Sequence, residues 1–273
     1  MTAVATERAP ARHRGTAAMA LHQYRFDQLA LLRNRQAQFF TLALPVMFLV
    51  IFASIFGGSG HTVKVAGGRI DTSVAYVPGI MALGIIAAAF VNLVISVTAQ
   101  RETGVLKRRR ATPVPAAAII LGRSLTAVVT ALANVVLLLI IGWAAFGAHV
   151  PARTAPALAV TVVVGALSFC GLGYALASVI HDQDAAQPVT QSVMLPLYFI
   201  SGVFIAASQL PKWLVDVASV FPVRHLAAAL LTAYNPHTRG SGFAATDLLI
   251  VAAWGVAGLV IALRRFSWVP LGR

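Results

Sequence analysis

Apolar residues in this chain run together in long blocks, and short patches between the blocks hold nearly all of the charge. A helix that crosses a bilayer needs about 20 mainly apolar residues. Six windows meet or approach that length: Ala37–Phe56, Ser73–Thr98, Ala116–Phe146, Ala155–Ile180, Pro188–Ala207 and Thr246–Leu263. Gly242–Ala245 can lengthen the last of these back to residue 244. Apolar side chains cover the whole surface of each predicted helix, as contact with lipid and bundle requires. Helices are also the natural form, because lipid offers no partner to a backbone N–H or C=O. Alternating segments of roughly ten residues, the mark of a membrane β-barrel, do not occur. The pattern predicts an all-α integral membrane protein with six transmembrane helices.

Three segments are neither span nor simple loop. Over Ala17–Gln38, Leu21, Tyr24, Leu29, Leu32 and Phe39 recur at roughly helical spacing, with Arg25, Arg33 and Arg35 between them. This reads as an amphipathic interfacial helix or as a plain basic lead-in to the first span. Between spans two and three stands QRETGVLKRRRATPVP. It predicts a short helix over Arg101–Arg110, with Glu102 and Leu106 on one face. Pro113 and Pro115 then break it. The run Lys107–Arg110 is either a lipid-phosphate anchor or a contact surface. After span five, Gln209–Leu231 holds Pro211, Lys212, Trp213, Asp216, Pro222 and Arg224 among apolar residues. It is too charged and too broken to span. Two short re-entrant helices or a surface-lying amphipathic helix would both accommodate it.

Charge then orients the chain. Only 11% of its residues are charged, against roughly 25% in soluble domains. The net charge of +13 would suggest nucleic acid in a soluble protein, but these bases flank apolar spans and match no nucleic-acid motif. With the N-terminus inside, fifteen of the 21 basic residues fall on the inner side and six on the outer. Both termini are therefore expected in the cytoplasm. Residues 1–16 read as a disordered basic tail, 17–265 as the membrane domain and 266–273 as a cytoplasmic tail. No cleavable signal is expected at the N-terminus.

The chemistry that is missing narrows the function. The sequence holds no G-x-x-x-x-G-K-[ST], so no P-loop binds ATP here, and it shows no metal-ligand spacing. Cys170 is the one cysteine, so neither a disulfide within the chain nor a cysteine metal site can form. All eight acids lie in tails, loops or span ends, which disfavours ion-coupled transport. An intramembrane serine protease built on Ser201 and His225 lacks the expected glycine at Phe199 and a histidine in span six. Asn92 and Asn134 read as interhelical hydrogen bonders, and the glycines of spans four and six as close-packing positions.

Glu102-Thr103-Gly104-Val105-Leu106 resembles the E-x-G-x-L of ABC-2 type export permeases, and Arg110-Ala111-Thr112-Pro113 resembles their R-A-T-P continuation. Ser201-Gly202-Val203-Phe204, followed by Leu210-Pro211-x-Trp213-Leu214, resembles their S-G-x-F…L-P-x-W-L. Phe221-Pro222 stands where that family has N-P, and Arg109 stands where it often has an apolar residue. The similarity covers roughly residues 17–265. It implies a permease that pairs as a homodimer or heterodimer and binds separate ATPase subunits, which hold ATP and Mg. The chain itself would then carry no catalytic residue, cofactor or metal. The resemblance makes Arg101, Glu102, Gly104, Leu106, Lys107, Arg108, Arg109, Arg110, Thr112 and Pro113 a cytoplasmic coupling element. It makes Ser201, Gly202, Phe204, Pro211, Trp213, Phe221 and Pro222 an outer re-entrant gate. The implied cargo is an amphiphilic drug, lipid or glycoconjugate exported across a bacterial plasma membrane. An ion-coupled secondary transporter and a non-transporting scaffold are the alternatives.

Overall fold

The computed structural model describes residues 15–57, 61–110, 115–147, 149, 151–205 and 207–265; the side chains of Lys107, Arg109, Arg110, Ala116 and Ser208 are outside that description. The expected tails, over 1–16 and 266–273, fall almost wholly outside the described residues, as do Thr112 and Pro113.

The chain folds as helices joined by short turns. A helix α1 (Thr16–Arg33) precedes five helices that are long and apolar enough to cross a membrane: α2 (Arg35–Phe56), α3 (Thr72–Glu102), α5 (Ala116–Phe146), α6 (Ala155–Ala177) and α10 (Ala245–Arg265). A short helix α4 (Val105–Arg110) lies between α3 and α5. Between α6 and α10 come α7 (Gln183–Ile200), α8 (Lys212–Ala218) and α9 (Pro222–Tyr234). The α8–α9 pair is bent by 101° and makes a sixth candidate if counted as one broken span.

Several boundaries differ from the sequence expectation, each for a local reason. The predicted helix over Ala17–Gln38 breaks at Asn34, whose backbone is extended (φ −92°, ψ 95°) and whose Oδ1 accepts the Ala37 N–H at 3.0 Å. That cap starts α2 at Arg35. The expected fifth span, 188–207, becomes α7. It begins earlier because Asp182 Oδ1 accepts the Asp184 N–H, and it stops at Ile200 where Ser201 and Gly202 turn the chain. With Gln183, Asp184, Gln187 and Gln191 in its first half, α7 is more polar than the five long helices. The all-α expectation also missed a hairpin. Strands β1 (Thr62–Val65) and β2 (Gly68–Asp71) pair antiparallel, with Val63 opposite Ile70. Its turn falls at Ala66–Gly67, where Gly67 takes φ +88°.

Close packing rests on small residues. At the crossing of α6 and α10, a Cβ on Gly171 would lie 2.4 Å from the Gly255 carbonyl oxygen, and one on Gly258 would lie 2.8 Å from Gly171. Only bare backbone lets those helices meet so closely, which is how membrane helices gain contact without a hydrophobic driving force. Near the middle of the bundle, α5 supplies Asn134, fully buried, whose Nδ2 donates to the Thr41 carbonyl at 2.5 Å. Thr41 belongs to a π-turn, Phe39–Ala43, inside α2. Gly84 of α3 makes room for the amide, since a Cβ there would fall 2.1 Å from Asn134 Oδ1.

Gly84→Ala should therefore push Asn134 off the Thr41 carbonyl. We expect a loss of about 1 kcal/mol for either Gly84→Ala or Asn134→Ala, in the range of membrane interhelical hydrogen bonds. In a double-mutant cycle of unfolding free energies the two should be non-additive; simple additivity would show that the glycine does not serve the amide.

Candidate functional site

A cavity of about 620 Å³ opens among α1, α2, α3, α5 and α7. Two π-turns shape its wall, Phe39–Ala43 in α2 and Ala87–Val91 in α3. Each re-aims a turn of side chains, and Phe40, Thr41, Ala87, Ala88 and Val91 all line the cavity.

The wall is two-faced. At the α1 end it is polar. Ser96 and Gln100 of α3 follow Asn92 at spacings of four, so one helical face carries all three, and Gln187 and Gln191 do the same on α7. Asn34 and Gln36 join them. Arg123 of α5 is buried there, with Nη1 donating to Ser96 Oγ at 2.8 Å and Nε lying 3.7 Å from Asp27 Oδ2 of α1. Gln23 Nε2 donates to the other Asp27 oxygen at 2.8 Å. Burial explains the cluster, because a guanidinium taken out of water needs acceptors around it.

Toward the hairpin end the wall turns apolar and aromatic. Phe204, only 7% exposed, is the hub. Its ring centroid lies 5.4 Å from Phe48, 5.3 Å from Phe52, 5.2 Å from Phe199 and 5.9 Å from Tyr198. Phe52 in turn stacks on Tyr76 at 5.7 Å. The turn that carries Phe204 is pressed against α3, where a Cβ on Gly79 would stand 2.4 Å from the Val203 carbonyl oxygen. Gly202 takes φ +87°, which an L side chain rarely adopts, and so lets the chain double back.

The expected gate residues therefore divide. Ser201, Gly202 and Phe204 share the turn after α7, and of the three Phe204 lines the aromatic end of the cavity. Pro211 caps α8, and Trp213 is 66% exposed on it. Phe221 and buried Pro222 begin α9, which packs against α3, α6 and α10. His225 does not face Ser201 as a catalytic base would: its Nδ1 lies 2.7 Å from Asp247 Oδ1, and its Nε2 lies 2.7 Å from the Ser219 carbonyl oxygen.

The expected coupling residues also divide. The predicted continuous helix over Arg101–Arg110 is interrupted, because α3 ends at Glu102 and Gly104 turns at φ +69° before α4 begins. Glu102 and Leu106 thus do not share one helical face. Leu106 is buried in the core, Glu102 is half-buried, and Arg108 is exposed with Nη2 donating to the Thr103 carbonyl at 3.4 Å. Arg101 points inward and is completely buried. The sequence reading singled out Asn92 as an interhelical hydrogen bonder and missed Gln100, Gln187 and Gln191 of the cavity wall. The four-residue spacing of Asn92, Ser96 and Gln100, and of Gln187 and Gln191, was the available signal.

A family comparison adds the decisive observation: the profile of ABC-2 type transporters matches residues 24–234. The chain belongs to the ABC-2 type transporter family. The match takes in the part of α1 that lines the cavity, the α4 segment and the Phe204 turn. Among relatives, the probable multidrug ABC transporter permease YbhR of Escherichia coli (strain K12) is 27% identical over 158 residues, which cover 58% of this chain and 42% of that protein. YbhR of Escherichia coli O157:H7 gives the same figures, so the chain spans less than half the length of these two relatives. The daunorubicin resistance ABC transporter permease protein DrrB1 of Streptomyces coeruleorubidus is 27% identical over 225 residues, 81% of this chain and 76% of that protein.

If the rings around Phe204 close the cavity of this ABC-2 type transporter, Phe204→Ala should open it. We expect a stability loss of about 3 kcal/mol. A cysteine at Leu83, buried in the cavity wall, should also react faster with a thiol reagent added from the hairpin side. An unchanged reaction rate would mean that the rings pack without sealing.

Proposed function

We propose that this chain is the transmembrane permease subunit of an ATP-binding-cassette exporter in a bacterial plasma membrane. The observation that carries this reading is the two-faced cavity, polar at the α1 end and lined by aromatic rings at the hairpin end. Membership of the ABC-2 type transporter family supports it. In this reading both termini, α1 and α4 are cytoplasmic, and the hairpin and the bent α8–α9 pair face outward. The outward surface of α1, where Leu21, Phe26 and Leu32 are exposed, suits an interfacial helix on the inner leaflet. A second permease subunit closes the open side of the cavity. A separate ATPase subunit binds ATP and Mg and seats on the α4 segment.

Cargo follows from the wall. A molecule with a hydrogen-bonding head and an apolar body would place its head among Asn92, Ser96, Gln100, Gln187 and Gln191 and its body against Phe48, Phe52 and Phe204. An amphiphilic drug, lipid or glycoconjugate has that form, and the multidrug and daunorubicin resistance named for the relatives agrees with it. ATP-driven closure of the ATPase pair displaces α4, and with it α3 and α5, so that the cavity changes the side it faces. Nucleotide achieves this only by binding the two states with different affinity. Ion coupling is less well supported, since Asp27 at the mouth is the only acid lining the cavity among the described residues.

The full chain purified from its native host should bring a P-loop ATPase with it; repeated isolation without one would sink the reading. In vesicles holding that complex, Glu102→Ala with Leu106→Ala should leave ATP hydrolysis nearly unchanged and cut transport by at least about tenfold, within the usual span of coupling factors. Because Leu106 is buried, Glu102→Ala alone is the cleaner arm, and wild-type transport in both variants would remove the coupling role.

A further inference from the structure

Arg101 is completely buried, yet it stands two residues before the turn that leads to α4. A guanidinium enters a bundle only where acceptors meet it. Here the acceptors belong to a different span. Nη1 donates to the Ala177 carbonyl at 2.8 Å, and Nη2 donates to the Ile180 carbonyl. α6 ends at Ala177, so the Ala177 oxygen sits at a helix terminus, where the last carbonyls have no partner inside the helix, and Ile180 lies three residues on in the following turn. The negative end of the helix dipole favours a cation at the same place. The remainder of this turn is tied as well. Ser178 Oγ donates to the Ala175 carbonyl at 2.6 Å, and Asp182 starts α7 by accepting the Asp184 N–H at 2.9 Å. One side chain from α3 therefore holds two carbonyls of the segment between α6 and α7, which Ser178 and Asp182 tie locally.

We propose that Arg101 is a positioning residue that passes movement of the Glu102–Arg110 segment to α7. The inference rests on the permease reading given above and adds a route to it. The chain itself links α4 to α3 and α5; the second half of α3 packs along α7, and Arg101 adds a directed tie to the turn that precedes it. α7 carries Gln187, Gln191, Leu195, Tyr198 and Phe199 along the cavity and ends at the turn that holds Phe204. The planar fork of arginine fixes two acceptors at once and so transmits direction as well as force. A lysine ammonium is a point charge on a flexible stem and can hold one carbonyl without orienting the other.

The test uses the full chain, with Cys170→Ala, in complex with the ATPase that copurifies with it. Single cysteines at Leu195→Cys on α7 and Val91→Cys on α3 report cavity exposure through their rate of reaction with a maleimide, with and without ATP and vanadate. With Arg101 present, both rates should respond to nucleotide. Arg101→Lys should keep the response at Val91→Cys and shrink that at Leu195→Cys by at least about fivefold, the low end of typical coupling factors. Should the lysine variant not assemble, Arg101→Gln, which still offers an amide donor to one carbonyl, takes its place. Equal responses at Leu195→Cys with and without the substitution overturn the inference. So does loss at both reporters, or failure of both variants to assemble, since Arg101 would then support the bundle as a whole. A parent chain with no nucleotide response at either reporter overturns the permease reading itself and is recognised before any Arg101 variant is made.

Discussion

Lipid leaves no buried carbonyl or charge with water to fall back on, and the internal joints of this bundle answer that constraint. Arg101 satisfies the end of α6. Asn134 satisfies a carbonyl in the π-turn of α2. Arg123 draws Ser96 and Asp27 around itself and so ties α3 and α1 to α5. Each joint links elements distant in sequence. Because the apolar contacts between membrane helices are scarcely better than contacts with lipid, such joints and the glycine crossing of α6 with α10 decide which helices meet.

The same economy shapes the cavity. A stretch of backbone that departs from the regular α-helix is tolerated inside a bundle where protein or a water-filled space covers it. Both π-turns border the cavity, and Asn134 covers one of their carbonyls. The polar face then needs few residues, since one polar side chain every four positions lines it: Asn92, Ser96 and Gln100 on α3, Gln187 and Gln191 on α7. The aromatic end is built from residues of α2, α3, α7 and the following turn, so the ring cluster around Phe204 depends on those elements keeping their places.

Much of the architecture was legible beforehand. The bounds of α5 coincide with the apolar window Ala116–Phe146, because Pro115 stops the helix at one end and Gly147 at the other. Asn134 as an interhelical hydrogen bonder was legible too, since a lone amide in an apolar span has few other uses. Asn92, read the same way, instead faces the cavity. The hairpin was missed because four-residue strands fall below what alternation can signal, and the helix break at Gly104 because one glycine in a short basic run does not announce a left-handed turn.

Composition and spacing by themselves determined a chain of apolar helices with a broken basic segment after the second long helix and a proline-broken segment before the last. They could do so because a bilayer tests every residue along a span against one slab of known thickness. Tertiary structure alone decided which polar residues share a space and which basic residue turns inward. Arg101 and Arg108 are seven positions apart in one basic patch, yet one caps a distant helix and the other lies exposed. That difference comes from the carbonyls of Ala177 and Ile180, which lie more than seventy residues away along the chain and become neighbours only when α6 packs against α3.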